Sequence, residues 1–164
     1  MEYWPYYTLF EKYKSNCTIF FETGTHIGTS VESAYNLGFE RIISIEIQER
    51  FYDYCMQRFQ PLNAWEQIKL FLGRSEDNIE KLVQEWVNGR AMFWLDAHET
   101  NSPYKLEIEA ILKHERNDHV IIIDDIDKYG IDTKWIKDTL FKHNPFYIFT
   151  ETKGISSSQL IAYI

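Results

Sequence analysis

The chain has 164 residues, 45% of them hydrophobic, which suits one domain with a substantial core and leaves no room for two. A formal net charge of -8 and a pI near 5.1 give no overall basic footprint, so a nucleic-acid partner is disfavoured. With no run of 18 apolar residues, no basic and apolar leader, and two cysteines (Cys17, Cys55) without metal-type spacing, a cytoplasmic protein without membrane association is expected.

Apolar periodicity gives an alternating chain. An aromatic helix is expected at Tyr3 to Lys14, then β1 at Thr18 to Glu22, a helix at Thr29 to Leu37, β2 at Arg41 to Glu46 and a helix at Glu49 to Phe59. Next come β3 at Gln67 to Leu72, a helix at Ser75 to Val87, β4 at Ala91 to Leu95, a helix at Pro103 to Arg116, β5 at His119 to Asp124 and a helix at Asp132 to His143. Such alternation predicts an α/β fold, a mostly parallel sheet with helices on both faces. The last two strands, Phe146 to Glu151 and Gln159 to Ile164, are separated by Thr152 to Ser158 alone. A parallel crossover needs a dozen or more residues, so this pair must be an antiparallel hairpin. Asn144-Pro145-Phe146-Tyr147 reads as the turn into it. The aromatic residues near the start, among them Tyr3, Trp4, Tyr6 and Phe10, read as a helix face packed on the sheet or on a second subunit.

The most informative stretch joins β1 to the next helix as Glu22-Thr-Gly-Thr-His-Ile-Gly-Thr-Ser30, an E-x-G-x-x-x-G-x-S pattern. Gly24 permits a sharp turn that leaves backbone N-H groups open to a ligand, and Thr29 or Ser30 is placed to cap the helix. Dinucleotide folds want G-x-G-x-x-G so that a pyrophosphate can lie on the helix N-terminus; Gly24 and Gly28 do not meet that spacing, and Glu22 would repel a phosphate. A carboxylate there suits a cationic amino-acid group. Glu46, at the end of β2 and 22 residues after Gly24, stands where nucleotide-binding α/β folds bind a ribose diol. Structural alternatives are a turn-capping role for Glu22 and a solvated strand end for Glu46.

On these residues the sequence resembles the class I S-adenosylmethionine (SAM) methyltransferases, in particular the small O-methyltransferases of the macrocin and catechol type, over Phe20 to Ile164. The resemblance implies a Rossmann-like seven-stranded fold of strand order 3-2-1-4-5-7-6 with the last strand antiparallel. It also implies a cofactor site in which Glu22, Gly24, Thr25, Gly28 and Ser30 hold the methionine end of SAM, Glu46 the ribose, and Ile47 and Ser75 the adenine side. Ser75, followed by Glu76 and Asp77, equally reads as a helix N-cap, and Arg74 stands where the family usually has an acid. Asp96 follows β4, and Asp124 with Asp125 follows β5. In the catechol-type enzymes that pattern holds magnesium, so Asp96, Asp124 and Asp125 are the expected ligands of Mg2+ or Ca2+. His98 is the candidate general base, with Asp96 beside it, where that family uses a nearby lysine. The implied reaction is O-methylation of a small molecule or sugar hydroxyl. Alternatives are a SAM-binding module without catalysis and an enzyme that cleaves SAM. The resemblance also implies an acceptor pocket that is open, suited to a large acceptor, or completed in a homo-oligomer.

Overall fold

A computed structural model describes residues 6–98, 102–153 and 157–164. Tyr3, Trp4 and Glu99 lie outside them. Seven strands and six α-helices alternate: α1 Tyr7–Lys14, β1 Ile19–Thr23, α2 Thr29–Asn36, β2 Arg41–Glu46, α3 Glu49–Phe59, β3 Ile68–Leu72, α4 Ser75–Trp86, β4 Ala91–Leu95, α5 Tyr104–Leu112, β5 Val120–Ile123, α6 Thr133–His143, β6 Ile148–Lys153 and β7 Ser158–Tyr163. The sheet order is 3-2-1-4-5-7-6; β1 to β5 are mutually parallel, and β7 runs antiparallel to both β5 and β6.

The central strands are apolar throughout because both faces are covered. Side chains such as Phe21, Ile43, Phe93 and Ile121 pack under α4, α5 and α6. Their neighbours in sequence, Phe20, Ile42, Met92 and Ile122, pack with Trp94 under α1, α2 and α3. The buried aromatic face of α1 belongs to this second layer: Phe10 is fully buried and stacks edge-on against Trp94 at 5.2 Å, so its role is packing.

Several boundaries differ from the sequence expectation for identifiable reasons. The helix expected to reach Arg116 ends at Leu112, where Lys113 and His114 close a tighter turn onto Ala110 and Ile111. The first strand of the hairpin starts two residues late, because the Asn144 side chain accepts the Phe146 N-H and holds 144–147 as a turn. Neither Ser30 nor Ser75 caps a helix. Gly28, in the left-handed region at φ 80°, and Arg74 occupy those N-cap positions without side-chain bonds, while both serines are buried. Among the described residues the side-chain cap that does form is Asp132, which accepts the Trp135 N-H at 2.9 Å at the start of α6.

Candidate active site

The carboxyl ends of β1, β2 and β4 open onto a cleft of about 440 Å³, the size range of a nucleoside-type ligand. The turn after β1 forms one wall. The Gly24 and Thr25 N-H groups donate back to Ile45 of β2, and Gly24 has φ 88°. A Cβ at Gly24 would stand 2.5 Å from the Asp96 carbonyl oxygen, so the close approach of the β1 turn to the end of β4 requires glycine. Glu46 faces the cleft with its carboxylate fixed from both sides: His26 N-H donates to Oε2 and Gln48 N-H to Oε1, each at 2.7 Å. Each oxygen keeps a second lone pair, so the carboxylate is oriented yet still able to accept from a diol. Ile47, 40% exposed, and the Phe51 ring, packed edge-on to His26 at 4.2 Å, supply apolar surface beside it. Gly73, Arg74, Ser75 and Glu76 complete that side, with Arg74 ion-paired to Glu76. The Gly24, Thr25 and His26 amides are thus spent on Ile45 and Glu46 and are not open to a ligand, contrary to the sequence expectation; what fits SAM is the cleft's shape and the oriented acceptor carboxylate of Glu46.

The remaining cofactor candidates fall behind the wall. Glu22 is fully buried and does not line the cleft; its Oε1 accepts from Ser44 at 2.6 Å, and its Oε2 has no hydrogen-bond partner among the described residues. Burial pushes its carboxyl up to about 7, opposed by the hydroxyls of Ser30 and Ser44. It is neither a solvated edge carboxylate nor a cap. Thr25 is buried on Ser44. Gly28 serves packing, since a Cβ there would meet the Phe59 ring at 2.8 Å.

The acidic edge differs from the expected metal centre. Asp124 Oδ1 already accepts three donors, the Asp125 N-H at 2.8 Å, Ser157 Oγ at 2.6 Å and Gln159 Nε2 at 2.7 Å. Asp125, at φ 52°, pairs with Lys128 at 2.8 Å. Among the described residues, no group of three or more His, Cys, Asp and Glu side chains is arranged to hold a metal ion. Asp96, Asp124 and Asp125 therefore do not fit as a magnesium or calcium ligand set: two of the three are spent on internal partners. Asp96 does line the cleft. Burial, then the charges of Asp124, Glu22 and Asp125, push its carboxyl up to about 8.

His98 also lines the cleft, and burial lowers its pKa, so its ring is neutral near pH 7. Nδ1 lies 2.9 Å from Ser102 Oγ, and Nε2 is buried without a hydrogen-bond partner among the described residues. The Tyr129 ring, which also lines the cleft, stacks on it at 5.5 Å.

Sequence reasoning missed three groups. Tyr129, in the left-handed region at φ 53°, carries no motif. Glu107 on α5 is fully buried behind the cleft wall, a charged residue on an apolar helix face, which was the available signal. His114 and His119 form a buried chain: the Ala91 N-H donates to His119 Nδ1, so His119 Nε2-H donates to His114 Nδ1 at 3.2 Å and His114 Nε2-H to the Val87 carbonyl at 2.8 Å.

This architecture is the Rossmann-like seven-stranded methyltransferase fold, as the resemblance implied. Among solved structures the chain is similar to the O-methyltransferase of Bacillus cereus in complex with S-adenosylhomocysteine (SAH), at 20% identity and TM-score 0.70, covering 96% of this chain and 78% of that one. It is similar also to TomG of Streptomyces achromogenes, an O-methyltransferase of tomaymycin synthesis in complex with SAM, at 16% identity and TM-score 0.64, covering 96% and 77%. A third is CalS11, a calicheamicin methyltransferase, at 12% identity and TM-score 0.70, covering 93% and 75%. No protein-family model matches the chain, and no curated protein matches it. No helix among the described residues is long and apolar enough to cross a membrane.

Proposed function

We propose that the protein is a SAM-dependent methyltransferase acting on a hydroxyl of a small molecule or a sugar. The observation that carries this reading is Glu46 at the carboxyl end of β2, which lines a nucleoside-sized cleft with its carboxylate held by two backbone N-H groups, that of Gln48 and that of His26 in the glycine turn after β1. The neighbours in complex with SAM or SAH support it. SAM, when bound, supplies an already activated methyl group, so the chain's task is alignment, and orientation accounts for most of the rate. In this reading Glu46 and the Gly24 turn bind the cofactor, while Asp96 and His98 stand at the end of β4 where the acceptor enters. Asp96 is mostly uncharged near pH 7, so neutral His98 is the group there that can receive the acceptor proton. Free, buried Cys17 and Cys55 suit a cytoplasmic setting.

Incubation with methyl-labelled SAM, alone and then with a library of hydroxyl compounds, tests the proposal. Transfer of label supports it. Consumption of SAM without an acceptor would instead identify a SAM-cleaving enzyme, and binding without turnover a SAM-binding module.

A further inference from the structure

His26 is held at more points than a loop residue needs. It sits in the turn after β1 at φ 49°, in the left-handed region that a residue with a side chain occupies only at a cost. Its N-H donates to Glu46 Oε2 at 2.7 Å, its carbonyl accepts from Cys55 Sγ at 3.2 Å, and its ring packs edge-on against Phe51 with centroids 4.2 Å apart. Cys55 and Phe51 both belong to α3, so that helix and the end of β2 together fix the residue beside the carboxylate. His26, Glu46 and Phe51 all line the cleft, yet His26 is exposed and neither of its ring nitrogens has a hydrogen-bond partner among the described residues.

A diol that donates to Glu46 keeps lone pairs on its own oxygens, and these need donors. The neighbouring backbone does not supply them, because the N-H groups of Gly24, Thr25, His26 and Gln48 are spent on Ile45 and Glu46. Of the side chains next to Glu46, Ile47 has no donor and the Gln48 amide is drawn onto Arg50, whose Nε donates to its Oε1 at 2.9 Å. An imidazole carries an N-H in either tautomer. We propose that His26 is a second ribose-binding residue of the cleft, its ring N-H donating to a hydroxyl that itself donates to Glu46. The proposal rests on the SAM reading for its ligand. It also gives the left-handed backbone a use: with one residue the turn orients the acceptor through an amide and brings the donor through a ring.

Calorimetric titration with SAH and with its 2′-deoxy and 3′-deoxy analogues tests this in three proteins: the wild type, His26→Phe, which keeps a ring for Phe51 and removes the N-H, and His26→Asn, which tolerates the left-handed backbone and removes the ring. Both variants are expected to bind SAH about fivefold to tenfold more weakly than the wild type, the worth of one hydrogen bond. With at least one of the deoxy analogues all three proteins should agree within about twofold, because the hydroxyl that the ring would bind is already gone. Unchanged SAH affinity in either variant overturns the proposal. So does a loss that persists undiminished with both analogues, which marks a general disturbance of the turn. Failure of the wild type itself to bind SAH is a separate result, one that overturns the SAM reading and this assignment with it.

Discussion

Replacing Asp96 by Asn should stabilise the ligand-free protein, and by an amount that depends on pH. The Asp96 carboxyl moves from its ordinary value of 3.8 to about 8, chiefly through burial and then through Asp124, Glu22 and Asp125. Because the folded value is the higher one, the folded chain holds a proton that the unfolded chain has lost. Stability therefore falls as pH rises from 3.8 toward 8. Between 3.8 and neutrality lie about three pH units at about 1.4 kcal/mol each, a ceiling of about 4 kcal/mol. Asp96 keeps some exposure at the cleft, and solvent screening and local relaxation bring the expected gain near neutral pH to about 2 kcal/mol. Asp96→Asn carries no such proton and keeps the shape. Urea unfolding of both proteins at about pH 4.5 and about pH 7 should give nearly equal stabilities at the lower value and, at the higher, a more stable variant with a melting temperature roughly 4 to 8 °C above wild type. Glu22 and Glu107 impose slopes of the same sign on both proteins and cancel in the difference. A difference that does not widen with pH, or an Asn variant that is the less stable near neutrality, would refute the picture of a buried, charge-crowded carboxyl.

Glu46→Ala should weaken SAH binding by roughly 1.5 to 3 kcal/mol, the loss of bonds to a charged group, with NAD failing to bind either protein; unchanged affinity in calorimetry counts against the ribose assignment. Gly24→Ala places a Cβ 2.5 Å from the Asp96 carbonyl oxygen at φ 88°, so a thermal melt should show a loss of about 2 kcal/mol or more, and SAH binding should fall with it. His119 is held neutral, its pKa pushed down to about 3 by burial and by His114. The unfolded chain then takes up the extra proton below about 6.5, so the stability advantage of wild type over His119→Asn should shrink as pH falls from 6.5 toward 4.5, by up to about 1.4 kcal/mol per unit. An advantage that stays constant across that range argues against a buried neutral ring.

The framework was legible because its signals are local. Arg41 to Glu46, Glu49 to Phe59 and Ala91 to Leu95 were bounded correctly from runs of apolar residues and the turns around them, and the short spacing between the last two strands fixed their antiparallel sense. The position of Glu46 at the end of β2 likewise follows from the strand that carries it. What escaped depends on partners far away in sequence. Nothing near Asp124 announces that Ser157 and Gln159 arrive from the hairpin to occupy its Oδ1, which is why a metal-ligand pattern in sequence did not become one in space. Ser30 and Ser75 sit where caps are common, yet the packing of α2 and α4 turns them inward, and helix-end preferences carry no information about which face will be covered. His114 and His119 are five residues apart with a loop between them, a spacing without periodic meaning until α5 ends and β5 begins.

The insertion of β7 between β5 and β6 makes the outer edge of the sheet conditional. β6 reaches the rest of the sheet only through β7, so the hairpin joins or leaves as one unit. Its arrival also delivers Ser157 and Gln159 to Asp124, which is buried next to the cleft. Fraying of the hairpin would strip those donors from an enclosed carboxylate, an event far costlier than exposing a half-polar edge strand. Amides of β7 and of the loop after β5 should accordingly exchange in a single cooperative opening, so that the outermost element of the sheet reports on the integrity of its reactive end.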